Sequence, residues 1–241
     1  MKQYGYSIGS KESDSSFKNT LTPNQGLGST TTVIPSTSQS LIPQKFFERH
    51  LNNDLEDLSS YLLGEYQRIE NGEILKSSRE QDALWSESHS ESTINWNKYN
   101  AFQFYHPAIH RLVAAVKDMT QEACDYYGLN FLEEQFYVQS WFNVNYAHKG
   151  KLDWHEHGGF GAPCFHGYYA VKAEPSTTHY QVFGEYKENI NKDNRAVISE
   201  TGHPHAMADW SWDGPRITIA YDVFPLRFIH KEWEQHWIPL V

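Results

Sequence analysis

The sequence predicts a mainly β fold, a sandwich or barrel, with two α-helices packed on one outer face. Six strand-like segments, most of them rich in aromatic or β-branched residues, follow Gly128 without intervening helices, which favours this architecture over a parallel βαβ sheet. Two amphipathic helical patterns precede those segments. A chain of 241 residues is long enough for one domain with a large core.

Two parts of the chain differ in composition. Residues 1–40 are rich in Ser, Thr and Gly, so we expect a flexible arm, or one that becomes ordered in an assembly. Residues 32–35 (TVIP) are a candidate edge strand within this arm. Residues 41–241 are expected to form the folded domain, with a helical part over 44–128 and a β core over 130–230.

Two helices are predicted in the helical part. Apolar residues recur at spacings of three and four from Phe47 to Tyr66, as on one face of an amphipathic helix. The second helix is predicted from Pro107 to Tyr127, because proline suits the first turn and Gly128 suits the end. The polar residues 70–100 between them are predicted to be a loop.

The predicted strands lie in the β core. Most of them contain aromatic or β-branched residues over a short run, and turn-forming residues lie between them. They cover residues 136–146, 165–171, 179–183, 196–199, 206–208 and 216–224.

Charge and hydropathy exclude several functional classes. A net charge of −10 argues against a protein that coats nucleic acid, because phosphate backbones require a surplus of Lys and Arg. No run of about 18 apolar residues is present, so no membrane span is expected. The two cysteines, Cys124 and Cys164, do not suggest a disulfide framework, and no apolar signal core begins the chain. A cytoplasmic protein is therefore expected.

His155 and His157 are the most informative pair in the sequence. In a strand, side chains at i and i+2 point to the same face, so two imidazoles can hold one metal ion if a third ligand joins them. His205 is a candidate third ligand. Imidazole suits Fe, Zn, Cu and Ni alike, so the residues do not identify the metal.

Other residues compete for these ligand positions. His203 is an alternative to His205, and Asp153 shares a face with His155 by the same alternation. Glu156 is expected to point to the opposite face, so it should not bind the same ion.

Arg216 predicts an anion site next to this cluster. A guanidinium in an apolar strand needs a partner, and its planar fork matches a carboxylate. Asp222 shares the face of Arg216 but lies about 20 Å along the strand, so it is not expected to pair with it directly. An anionic co-substrate is the better partner.

In order and spacing, these segments resemble the Fe(II)/2-oxoglutarate-dependent oxygenases, especially the prolyl-hydroxylase-like branch and its short phage-encoded members. The resemblance covers about residues 136–225 and rests on residues 140–145, 154–157, 166–171, 204–207 and 216–223. It implies a double-stranded β-helix (jelly-roll) with helices packed outside the larger sheet. For a phage-encoded protein, the expected location is the host cytoplasm or the virion.

The resemblance also implies roles for particular residues. His155 and His205 would bind iron, and His157 stands where the family usually has a carboxylate, which leaves a three-histidine site or a role for Asp153. Arg216 would bind the far carboxylate of 2-oxoglutarate. The co-substrate pocket would contain Arg216, Thr218, Tyr169 and Asn143.

The implied activity is hydroxylation of an unidentified substrate, with O2 and 2-oxoglutarate consumed and succinate and CO2 released. One alternative is a non-catalytic jelly-roll module of a phage assembly that makes homo-oligomeric or other contacts through residues 1–40. The other is a cupin-like metalloenzyme that does not use 2-oxoglutarate, for which Arg216 would not be needed. Residues 209–213 (DWSWD) are expected to form a loop over the site.

Overall fold

The structure is a computed structural model that describes residues 6–8, 45–73, 91–92, 99–146, 154–157, 163–182, 184–208, 210, 212–229 and 237–240. Most of residues 1–40, including the candidate strand at 32–35, therefore lie outside the described residues, and only a short strand at 6–8 is described there. Asp153 also lies outside the described residues. None of the helices within the described ranges is long and apolar enough to cross a membrane.

The described strands form two antiparallel sheets, which confirms the predicted mainly β architecture. The smaller sheet has the order β1 (Tyr6–Ile8), β5 (His155–His157), β10 (His205–Met207), β7 (Thr177–Val182) and β8 (Glu185–Ile190). The larger sheet has the order β12 (Ile238–Pro239), β4 (Phe136–Tyr146), β11 (Pro215–Pro225), β6 (Phe165–Lys172), β9 (Arg195–Glu200) and β2 (Phe47–His50), with β3 (Glu91–Ser92) beside β4.

The larger sheet has one face towards the helices and one towards the smaller sheet. Side chains alternate between the two faces of a strand, so β11 contributes to both. Its helix-facing residues belong to the main apolar core, which also contains residues of both long helices: Ile217, Ile219, Tyr221 and Val223. Its inner-facing residues are mostly polar: Arg216, Thr218, Ala220 and Asp222.

The inner faces of the two sheets are in contact. The Trp141 ring on β4 stacks on the His157 ring on β5, with ring centroids 5.6 Å apart. Further along, Arg216 Nε donates a hydrogen bond to Oγ of Ser176, which immediately precedes β7. The polar residues of the inner face are therefore enclosed between the sheets.

The second long helix has the predicted bounds. Helix α2 spans Pro107–Tyr127, with His106 accepting a hydrogen bond from the Ala108 N–H at its start. It ends at Gly128, whose φ of 69° is a left-handed conformation that glycine adopts without strain. A single turn, α3 (Phe131–Glu134), follows before β4.

The first helix begins later than predicted. Helix α1 spans Leu55–Glu70, whereas Phe47–His50 form strand β2, paired with β9. The helix begins where the Asp54 side chain accepts hydrogen bonds from the backbone N–H groups of Glu56 and Asp57. The prediction of a helix from Phe47 was wrong because this strand is stabilised by a partner far away in the sequence.

Candidate metal centre and anion site

Three histidines meet on the inner face of the smaller sheet. His155 and His157 lie on β5, and His205 on β10 pairs directly with His155. All three are buried, and one possible ligand atom of each lies within 4.8 Å of those of the other two. The structure thus brings together the three residues that the sequence predicted as ligands.

The geometry and chemistry of this cluster fit a transition-metal ion. Two nitrogens that each lie about 2.1 Å from one ion are about 3 to 3.5 Å apart, so small side-chain rotations would close the cluster around it. The Nδ1 atom of His205 lies 3.4 Å from the backbone oxygen of His203. Donation of Nδ1–H to that carbonyl leaves Nε2 as the nitrogen available for a metal.

The competing ligand candidates are arranged differently. Nε2 of His203 lies 3.4 Å from Glu200 Oε1, and His203 is not part of the cluster. Glu156 is only partly buried and lies between the two buried histidines of β5, consistent with a side chain on the opposite face. Asp153 cannot be placed, because it lies outside the described residues.

Aromatic rings enclose the cluster. His157 is stacked on Trp141, and His205 is stacked on Tyr180 with ring centroids 5.5 Å apart. Trp141 and Tyr180 are themselves buried. These rings keep bulk water away from two of the three candidate ligands.

Asp222 and His166 also adjoin the cluster, and neither was predicted from the sequence to belong to it. Asp222 Oδ1 lies 2.8 Å from Nδ1 of His157 and 3.1 Å from Nδ1 of His166. The pairing of β11 with β6 places Asp222 directly opposite His166. The available signal was that Asp222 shares a strand face with Arg216, but its partners depend on a strand register that the sequence does not reveal.

Burial and repulsion from neighbouring histidines keep His166 and His205 neutral. Burial lowers the pKa of His166 to about 4, with a further contribution from His157, although Asp222 opposes the change. The pKa of His205 also falls well below its usual range, because of burial and then because of the neighbouring histidines. Neutral imidazole is the form that binds metals.

Asp222 is ionised despite its burial. Burial opposes its negative charge, but attraction to His157 and hydrogen bonds from His157 and His166 outweigh that effect. Together they lower the pKa of Asp222 to about 2. A full negative charge therefore lies directly behind one candidate metal ligand.

Arg216 is a candidate anion-binding residue on the same inner face. It is 5% exposed, its Nε donates to Ser176 Oγ at 2.9 Å, and one terminal nitrogen lies 3.5 Å from Asn145 Oδ1. Both partners are neutral, and within the described residues Arg216 takes part in no ion pair. Burial lowers its pKa to about 10, so it remains a cation at neutral pH.

Thr218 and Asn143 form the next cross-strand pair on the inner face, two residues along the strands from Arg216 and Asn145. They pair across β11 and β4, and Asn143 Nδ2 lies 3.4 Å from Thr218 Oγ1. Thr218 is buried and Asn143 is partly buried. The structure therefore places both in the space between the anion site and the imidazole cluster.

Tyr169 does not join them, and its expected contact with a co-substrate needs correction. Its ring lies in the main apolar core on the helix side, and its hydroxyl is bonded to Asn53 and Asn194. The adjacent Tyr168 has the opposite orientation, packing with Trp141 on the inner face. The alternation of side chains along β6 makes Tyr168 the residue that faces the site.

The segment between His205 and Arg216 is only partly described. Trp210 is buried, and its Nε1 donates to the backbone oxygen of Gly214 at 2.9 Å. Trp212 is half exposed, with its ring 5.8 Å from that of Trp210. The position of residues 209–213 over the site stays a prediction, because residues 209 and 211 lie outside the described ranges.

Comparison with solved structures identifies the arrangement of the two sheets. A prolyl-4-hydroxylase from Pseudomonas putida superposes with a TM-score of 0.52 over 75% of this chain and 93% of its own, at 8% identity. The chain has the double-stranded β-helix fold. This confirms the predicted jelly-roll with helices outside one sheet.

Two other solved structures are similar at slightly lower scores. One is HygX from Streptomyces hygroscopicus, with nickel, 2-oxoglutarate and hygromycin B bound, at a TM-score of 0.49 and 9% identity over 77% of this chain and 85% of its own. The other is SnoK, an alpha-ketoglutarate-dependent carbocyclase from nogalamycin biosynthesis, at 0.49 and 11% over 76% and 80%. No family model and no curated protein matches the sequence.

Proposed function

We propose that this protein is an Fe(II)- and 2-oxoglutarate-dependent oxygenase that hydroxylates an as yet unidentified substrate. One observation carries the proposal: a cluster of three buried imidazoles and a buried arginine with neutral partners lie on the same enclosed inner face. The first suits a transition metal, and the second suits a carboxylate. The double-stranded β-helix shared with a prolyl-4-hydroxylase supports the proposal.

The three histidines would hold the metal. They provide three neutral nitrogen donors from one side and leave the other coordination positions for co-substrate and O2. When bound, Fe(II) with 2-oxoglutarate and O2 supplies the oxidising power for C–H hydroxylation, with release of succinate and CO2.

Arg216 would bind and orient the co-substrate. Ser176 holds the guanidinium through Nε, and Asn145 lies 3.5 Å from one terminal nitrogen, so the remaining terminal N–H groups are available for the far carboxylate of 2-oxoglutarate. Thr218 and Asn143 provide a hydroxyl and an amide in the next row, where they can donate hydrogen bonds to the bound dicarboxylate. Burial of these groups strengthens each contact, because little water competes.

Enclosure of the site would protect the reaction. Trp141 and Tyr180 cover two of the histidine rings and shield the metal from bulk water. Tyr168, packed beside Trp141, extends the same aromatic wall along the inner face. The substrate C–H bond would have to enter from the side that these rings leave open.

The test is 2-oxoglutarate turnover with purified protein and Fe(II). The wild-type chain should release succinate in a reaction that depends on iron and O2, even at the slow rate expected without substrate. His205→Ala should abolish release and metal binding. His50→Ala, which changes an exposed histidine, should leave both unchanged.

Two results would contradict the proposal. Failure of the wild-type protein to bind Fe(II) in anaerobic titration would favour the non-catalytic jelly-roll module. Binding of Fe(II) without any effect of 2-oxoglutarate would favour the cupin-like metalloenzyme.

A further inference from the structure

Asp222 occupies an unusual position for a buried carboxylate in this site. It is 4% exposed, and one oxygen lies within hydrogen-bonding distance of the Nδ1 atoms of both His157 and His166. The His157 and His166 rings are stacked with centroids 3.8 Å apart, so both face the carboxylate from the same side. Two buried imidazoles therefore meet at one buried carboxylate oxygen.

This contact determines which nitrogen of His157 can face a metal. The Nδ1–H group can donate to Asp222, and the lone pair then lies on Nε2 at the other edge of the ring. A carboxylate behind a ligand imidazole fixes its tautomer and orientation and raises its basicity. His166 provides a second donor that holds the carboxylate in place from β6.

The position of this charge is informative because the three candidate ligands of the cluster are all imidazoles. Three neutral imidazoles alone would leave a buried divalent ion without a negative charge from the protein, which is costly in a low-dielectric site. Among the described residues, Asp222 contacts one candidate ligand, His157, from behind, and it also contacts His166. Its charge acts on the ion through the His157 ring.

We propose that Asp222 is a positioning residue that supplies the negative charge of the metal centre through His157, in place of a carboxylate ligand. This inference rests on the proposed metal site and adds the residue that allows three neutral histidines to hold a divalent ion. His166 shares the same carboxylate and stabilises its orientation. Asp222 itself does not bind the metal.

The first experiment measures metal affinity rather than turnover. Asp222→Asn keeps the size of the side chain and removes its charge, and it should weaken Fe(II) or Co(II) binding about 10- to 100-fold. The measurement is anaerobic competition with a chelating dye, without 2-oxoglutarate. Thermal melts of the metal-free proteins establish that each variant folds.

Moving the carboxylate from position 222 to position 157 distinguishes this role from a purely structural one. His157→Asp places a carboxylate at the ligand position but next to Asp222, so the two charges repel and binding should be weak. His157→Asp combined with Asp222→Asn leaves one carboxylate in the site and should bind metal more tightly than either single variant. If Asp222 were only structural, the losses of metal-binding free energy in the two single variants would add in the double variant.

Each outcome decides the inference. It is overturned if the metal affinity of Asp222→Asn lies within about twofold of the wild-type affinity. It is equally overturned if the double variant binds metal no more tightly than either single variant. It is also overturned if the wild type binds two ions per chain, because His157, His166 and Asp222 would then form a second metal site. Loss of all binding in the wild type would instead refute the proposed function itself.

Discussion

Replacement of Arg216 by glutamine should weaken the binding of 2-oxoglutarate strongly and change the stability of the fold only slightly. The side chain is buried between Ser176 and Asn145, and burial lowers its pKa to about 10. A pKa shift of that size corresponds to about 3 kcal/mol against the charged form. The cation therefore lowers the stability of the ligand-free protein, as expected for a group that is kept for binding.

Binding of 2-oxoglutarate would repay this cost through the guanidinium. Two charge-assisted hydrogen bonds to a carboxylate contribute about 1.5 to 2 kcal/mol each. Arg216→Gln should therefore raise the Kd for 2-oxoglutarate by about 10² to 10³-fold. The free energy of unfolding of the ligand-free protein should fall by no more than about 1 kcal/mol, because a buried charge is removed along with its hydrogen bonds.

The assays are calorimetric titration of 2-oxoglutarate into protein loaded with Mn(II), and urea denaturation of the metal-free protein. Arg68→Gln is the control, because that arginine is exposed on α1 and should affect neither measurement strongly. Unchanged affinity together with a stability loss of about 3 kcal/mol would show that Arg216 is structural. That result would refute the assignment of the anion site.

Two other predictions concern stability. Because the pKa of His166 is lowered to about 4, the unfolded chain binds a proton below about pH 6.5 that the folded chain does not. The free energy of unfolding should therefore fall by about 3 kcal/mol between about pH 6.5 and 4, as measured by urea denaturation of metal-free protein, and a flat profile would contradict this. Gly167→Ala should destabilise the fold by about 3 kcal/mol, because a Cβ there would lie 2.2 Å from the backbone oxygen of Val197. Gly64→Ala, with open space around it on α1, should instead add about 0.5 to 1 kcal/mol, and equal effects of the two changes would count against this packing.

The local parts of the fold could be predicted from the sequence. Helix α2 has a proline at its first position and a glycine after its last, and both signals act within one turn of the chain. The aromatic and β-branched run of β4 indicated its strand over the full length. Such signals depend on neighbouring residues alone.

Elements stabilised by distant partners could not be predicted. Strand β2 contains Phe47, the first residue of an apolar series with helix-like spacing, and only its pairing with β9 makes it a strand. Strand β8 is mostly exposed and contains three charged residues, so its sequence resembles a loop until β7 pairs with it. These pairings join segments that composition does not connect.

The candidate site was predictable where it depended on alternation along one strand. His155 and His157 share a face because they are two residues apart, and the structure places both in the cluster. Strand β6 is buried on both faces, so hydropathy does not distinguish the inward Tyr168 from the outward Tyr169. The contact of Asp222 with His157 spans both sheets and has no local sequence signal.

The most direct test of the account is a diffraction measurement on crystals grown without O2 in the presence of Fe(II) and 2-oxoglutarate. Anomalous scattering should show one iron per chain, with nitrogens of His155, His157 and His205 about 2.0 to 2.3 Å away. The far carboxylate of 2-oxoglutarate should contact Arg216. Iron bound elsewhere, or a dicarboxylate that does not reach Arg216, would contradict the central claim.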